Sequence, residues 1–190
     1  MGRYLCLLWI LLMVSISSQA KKYKDVEVAE ALLERLIPAY ADMFRFEKIA
    51  SGKDFFRIKS DADSVIVISG NNANSMATGL NYYLKYYCLT TVSWYADIPI
   101  EMPDKLPQVV SPIEISAKVE RRFFLNYCTF GYSMPFWKWY DWERFIDWMA
   151  LNGVNMPLAI TGQEAVWYKV WKELGLSDNE ILSSFTGPVY

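Results

Sequence analysis

Apolar positions over residues 24–40 recur at helical spacing. Val28, Leu32 and Ile37 fall on one side and glutamates on the other, which predicts a helix that Pro38 ends. The period then shortens to two. Phe44, Phe46, Lys48 and Ala50 alternate, Ser51-Gly52-Lys53-Asp54 reads as a turn, and Phe55 to Lys59 alternates again, so a hairpin is expected. Ser64 to Ser69 is a short β-branched run between Asp61-Ala62-Asp63 and Gly70-Asn71-Asn72, the mark of a buried strand. Residues 74–88 return to helical spacing through Met76, Leu80, Tyr83, Leu84 and Tyr87. Helices packed on one face of a small sheet make an α+β domain. Pro99, Pro103, Pro107 and Pro112 then disfavour helix and read as an extended linker, placing a boundary near residue 115.

Beyond the linker the pattern changes character. Residues 122–128 read as a strand and residues 137–152 as an amphipathic helix with Trp142, Phe145, Ile146 and Met149 on one side, closed by Asn152-Gly153. Residues 154–160 form a second strand, weakened by Pro157, which cannot donate to a ladder. Thr161-x-x-Glu164 opens a helix that Gly175 stops, and Ser177-x-x-Glu180 opens another that Gly187-Pro188 stops. Strand, helix, strand, helix is the signature of a parallel sheet. A (β/α)8 barrel takes about 200 to 250 residues, whereas about 70 follow the linker. The expected fold is therefore an α+β N-terminal domain followed by the first βαβα units of a (β/α)8 TIM barrel, left incomplete.

The first residues read as an address rather than as fold. Arg3 supplies a charge, Tyr4 to Val14 is an unbroken apolar run of eleven, and Ser18-Gln19-Ala20 offers small residues to a signal peptidase. Eleven residues fall far short of the roughly 20 that span a bilayer, so a cleaved export signal is expected and no stable membrane anchor after cleavage. The expected division is residues 1–20 signal, 21–115 N-terminal domain and 116–190 opening of the barrel. Export to periplasm, cell surface or medium permits a disulfide between Cys88 and Cys128, the two cysteines left. One bridge and two free thiols are both open, with two buried thiols as the default.

Composition narrows the chemistry. A chain that is 53% hydrophobic and 16% aromatic is not a disordered tail, and a net charge of −2 supplies no field for a nucleic-acid backbone. With no histidine, Ser-His-Asp and Cys-His systems and histidine metal sites cannot be built from these residues. No phosphate loop, metal cluster or nucleophile elbow is present, and no cofactor is expected. Any chemistry falls to carboxylates, and those here have structural explanations. Asp141, Glu143 and Asp147 lie on one outward-facing helix, where Asp141 can pair with Arg144, while Glu164 and Glu180 cap helix starts.

Strand-following loops line the working face of a barrel. Asn126 and Cys128, alternating with Tyr127 at the tip of the first strand, could shape a polar pocket there; a loop-capping Asn and a buried Cys are the plainer explanation. Twelve aromatics lie between Phe123 and Trp148. Most are expected in the core, and Tyr132 and Phe136, in the loop, are the better candidates for stacking on a sugar.

The run from Phe123 to Pro188 resembles the start of the catalytic domain of the alpha-N-acetylglucosaminidases, glycoside hydrolase family 89. The matching pieces are N-x-C-T at Asn126, W-x-W-x-x-W-E-x-x-I-D-W-M-A-L-N-G from Trp137, G-Q-E-A-x-W from Gly162, and the closing F-T-G-P at Phe185. The preceding α+β layout is similar to that family's N-terminal domain. The resemblance implies exo-hydrolysis of terminal alpha-linked N-acetylglucosamine from glycans such as heparan-type and mucin-type chains, with retention. It implies that Asn126 and Cys128 contact the sugar, and that the two catalytic glutamates lie on later barrel strands, beyond residue 190. A non-catalytic carbohydrate-binding or interaction module is the alternative.

Overall fold

The computed structural model describes residues 24–185. The expected signal over residues 1–20 and the stop at Gly187-Pro188 lie outside the described residues. The chain runs α1 (Asp25–Leu36), a 3-10 turn (Pro38–Met43), β1 (Phe44–Lys48), β2 (Phe55–Ser60), β3 (Ile66–Gly70) and α2 (Ala73–Tyr86). After a long irregular stretch come β4 (Ile113–Ser116), β5 (Phe123–Phe124), two 3-10 turns (Tyr127–Gly131 and Met134–Phe136), α3 (Trp139–Leu151), β6 (Met156–Pro157), α4 (Gln163–Glu173) and α5 (Asp178–Ser184). Among the described residues, no helix is long and apolar enough to cross a membrane.

The expected hairpin does not form. The first sheet has the order β1-β3-β2-β4, with β1 parallel to β3 and β2 antiparallel to both β3 and β4. β3 separates the two strands because all five of its residues are buried. A strand apolar or small on both faces belongs at the centre of a sheet, with a neighbour on each side. Ile58, Ile66 and Ile68 meet Leu32 and Leu33 of α1 and Met76, Leu80 and Tyr83 of α2 in one core. Gly79 allows α2 to approach closely, since a Cβ there would lie 2.8 Å from the Ile68 side chain and 3.1 Å from Phe56 Cβ.

The proline-rich stretch is bound down rather than free. Leu106 and Val109 enter the same core, the buried Tyr83 hydroxyl donates to Pro107 O at 2.8 Å, and Val109 N donates to Ser60 Oγ. It leads into β4, so a boundary near 115 falls within an edge strand of this sheet.

The second sheet is a short parallel pair, Phe123 opposite Met156 and Phe124 opposite Pro157. Both strands are shorter than the pattern predicts. Leu125 leaves the extended region at φ 83° and ends β5. Pro157 costs β6 nothing on this side, because Met156 N donates to Arg122 O and Leu158 N to Phe124 O. Alternate amides of a strand point to opposite neighbours, and the proline occupies the position between these two donors. α3 covers the pair through a second core in which Met134, Phe145 and Met149 are buried among Trp94, Phe124, Trp137, Trp142 and Trp148. Ile146, expected on that buried side, is exposed.

Several contacts join the two sheets. Leu151 of α3 is buried in the first core. Asp147, expected on an outward helix face, is buried and accepts two hydrogen bonds from Arg35 of α1, at 2.9 and 2.7 Å. Arg144 reaches the Ser93 and Ala96 carbonyls and Asp97 rather than Asp141, which instead accepts from Lys138 N at the helix start. These side chains therefore face the N-terminal sheet domain.

Candidate functional site

The loop after β5 is built by a single amide. The positive φ at Leu125 turns the chain out of the strand, and Asn126 Oδ1 then accepts from Cys128 N at 3.0 Å, Thr129 N at 3.3 Å and Thr129 Oγ1 at 3.2 Å. A side-chain oxygen that collects amides one turn ahead is an N-cap, and it starts the 3-10 turn Tyr127–Gly131. The expected strand alternation of Asn126 with Cys128 is thus corrected: both sit on a capped turn, adjacent through one hydrogen bond. Asn126, Tyr127 and Cys128 are all exposed there. Buried Met134 and Phe130, whose ring stacks with Trp142 at 6.3 Å, fasten the loop to α3.

Cys88 and Cys128, the cysteines among the described residues, are free thiols, so no bridge joins them. Cys88 is half-buried, and burial pushes its thiol up to about 11 against the opposing hydrogen bond with Tyr83. Cys128 is exposed, contrary to the expectation of a buried thiol. Because the thiolate is the reactive form, a disulfide reagent at pH 8 is expected to modify Cys128 at least about tenfold faster than Cys88. The fast phase should vanish in Cys128→Ser and persist in Cys88→Ser.

No carboxylate with a resolved shift is set up for acid catalysis. A glycosidase general acid needs a raised pKa, and the resolved carboxylate shifts are all downward. Hydrogen bonds from Lys48, from Tyr168 and Lys172, and from Ser177 lower Asp25, Asp178 and Glu180 respectively. Burial raises Asp54 and Asp61, but hydrogen bonds outweigh it: from Arg122, Asn71 and Asn72 to Asp54, and from Val65 N and Arg45 to Asp61. The expected capping box at Thr161 is absent, because α4 starts one residue later, after Gly162 at φ 88°. Ser177 and Glu180 do form theirs.

The family model for the alpha-N-acetylglucosaminidase N-terminal domain matches residues 27–108. That for the same family's tim-barrel domain matches residues 122–190. The chain belongs to the alpha-N-acetylglucosaminidase family. It is 34% identical over 173 residues to human alpha-N-acetylglucosaminidase, a match spanning 88% of this chain and 23% of that protein. A family 89 glycoside hydrolase from Clostridium perfringens, solved with 2-acetamido-1,2-dideoxynojirmycin, superposes with a TM-score of 0.80 at 38% identity, over 93% of this chain and 20% of that one. The same TM-score is reached with the complex of that enzyme with PUGNAc. A variant of it with two glutamates replaced by glutamine, bound to its substrate GlcNAc-alpha-1,4-galactose, gives 0.78. The chain thus spans between a fifth and a quarter of the length of these alpha-N-acetylglucosaminidase relatives.

Thr129 and Arg122 are the residues that sequence reasoning passed over. Thr129 closes the N-x-C-T motif and was legible there. Arg122 carried no signal beyond a charge at the start of a strand.

Proposed function

We propose that the chain is the N-terminal part of an exported alpha-N-acetylglucosaminidase, which removes terminal alpha-linked N-acetylglucosamine from glycans with retention. Residues 1–20 are its signal, 21–115 its N-terminal domain and 116–190 the opening of its (β/α)8 barrel. The ordered match of the two family domains carries this reading. α4 supports it: none of its residues is buried, and Val166, Trp167 and Val170 lie exposed. An apolar helix face of this kind is covered in a barrel by neighbouring βα units.

In this reading the loop after β5 lies on the working face, and Asn126 and Cys128 contact the terminal sugar. Tyr132 and Phe136, exposed in the same loop, are the candidates for packing against a pyranose ring. The catalytic glutamates are supplied by later barrel strands, so residues 1–190 alone bind the sugar incompletely and do not cleave it. In the longer protein, hydrolysis of an aryl alpha-N-acetylglucosaminide followed by proton NMR should show the alpha anomer of N-acetylglucosamine first. First appearance of the beta anomer would refute retention, and Asn126→Ala with unchanged kinetics would remove Asn126 from the site.

A further inference from the structure

The Asn126 amide has a defined orientation. Its oxygen faces two backbone N–H groups and one hydroxyl. A flipped amide would set its NH2 against both backbone donors, so the hydrogen-bonding chemistry alone assigns oxygen and nitrogen. The oxygen is consumed inside the loop. Nδ2 has no acceptor among the described residues, and the residue is exposed, so what Asn126 presents outward is a donor pair and no acceptor.

Thr129 supplies two of the three groups that impose this polarity. Its backbone N–H would be present in any residue, but its hydroxyl is specific to Thr or Ser. The hydroxyl lies 3.2 Å from Asn126 Oδ1, a long O–H···O contact. An acceptor that binds Nδ2 polarises the amide, makes Oδ1 a stronger acceptor and tightens the bond from Thr129.

We propose that Thr129 is a positioning residue: it holds the Asn126 amide with Nδ2 outward, so that this position recognises an acceptor oxygen of the bound N-acetylated sugar and rejects a group that can only donate. The inference rests on the reading of Asn126 as a sugar-contacting residue.

Binding of 2-acetamido-1,2-dideoxynojirmycin to the longer protein tests both layers, with the melting temperature as a control on folding. Thr129→Val, which keeps shape and loses the hydroxyl, should weaken binding about three- to tenfold, and Thr129→Ser should stay within about twofold of the parent. Asn126→Asp retains every cap acceptor and replaces the outward donor, so it should fold as the parent does and weaken binding more than about tenfold. Parent-like binding by Thr129→Val alongside a loss in Asn126→Ala would overturn the positioning role while leaving the sugar contact intact. Equal losses in Thr129→Val and Thr129→Ser would overturn it too. Parent-like binding by Asn126→Asp would overturn the donor polarity, and parent-like binding by both Asn126 variants would remove the sugar contact itself.

Discussion

Arg122→Met is expected to destabilise the protein by about 2 to 4 kcal/mol, because it strips a partly buried guanidinium of several hydrogen bonds worth roughly 0.5 to 1.5 kcal/mol each and leaves its carboxylate partner without a counter-charge. The Arg122 side chain makes five hydrogen bonds: Nε to Gly153 O, Nη1 to the Val119 and Glu120 carbonyls, and Nη2 to Asp54 Oδ2 and Asn74 Oδ1. These partners span the first sheet domain, the approach to β5 and the turn from α3 into β6. Asn74 completes the joint by donating to Val154 O. Methionine keeps the apolar stem and removes every donor, leaving Asp54 with Asn71 and Asn72 but no counter-charge. Arg121→Met is the control. Arg121 is exposed and has no partner among the described residues, and its loss should change stability by no more than about 0.5 kcal/mol. Chemical denaturation of the three proteins measures both effects.

The pH dependence gives the same joint a second signature. Burial works against the charge on Asp54, yet hydrogen bonds from Arg122, Asn71 and Asn72 hold its carboxyl below the ordinary value. A carboxylate with a depressed folded-state pKa adds stability that is fully present above the unfolded value of about 3.9. That stability is lost as pH falls through the folded value. The gap between the parent and Arg122→Met should therefore be widest near neutrality and narrow below about pH 4.

What was legible in the sequence follows from which forces are local. Helices α1, α2 and α3 and strands β1, β2 and β3 could be read because a 3.6 or a 2.0 period is a property of consecutive residues. The order of strands is not. β1 and β2 satisfy every local rule for a hairpin, yet each pairs with one edge of the fully buried β3, which lies between them. The same holds for Asp147, which looks like an ordinary surface carboxylate on its helix until Arg35, 112 residues earlier, is packed against it. At the candidate site, residue identities were legible and the backbone was not. Seven residues of apparent strand were cut to two by the positive φ of Leu125 and by the competition of the Asn126 side chain for amides that a ladder would have used. That competition leaves Asn126 presenting a donor in one direction, something strand alternation does not predict.

The most direct test of the whole reading compares residues 1–190 with the longer protein in one assay, hydrolysis of an aryl alpha-N-acetylglucosaminide. The expected effect is all or none: turnover by the longer protein and none by residues 1–190, whose resolved carboxylate shifts all run downward, away from what a general acid needs. Release of the aryl group by residues 1–190 would contradict the placement of the catalytic glutamates beyond them, and an inert, well-folded longer protein would contradict the proposed activity.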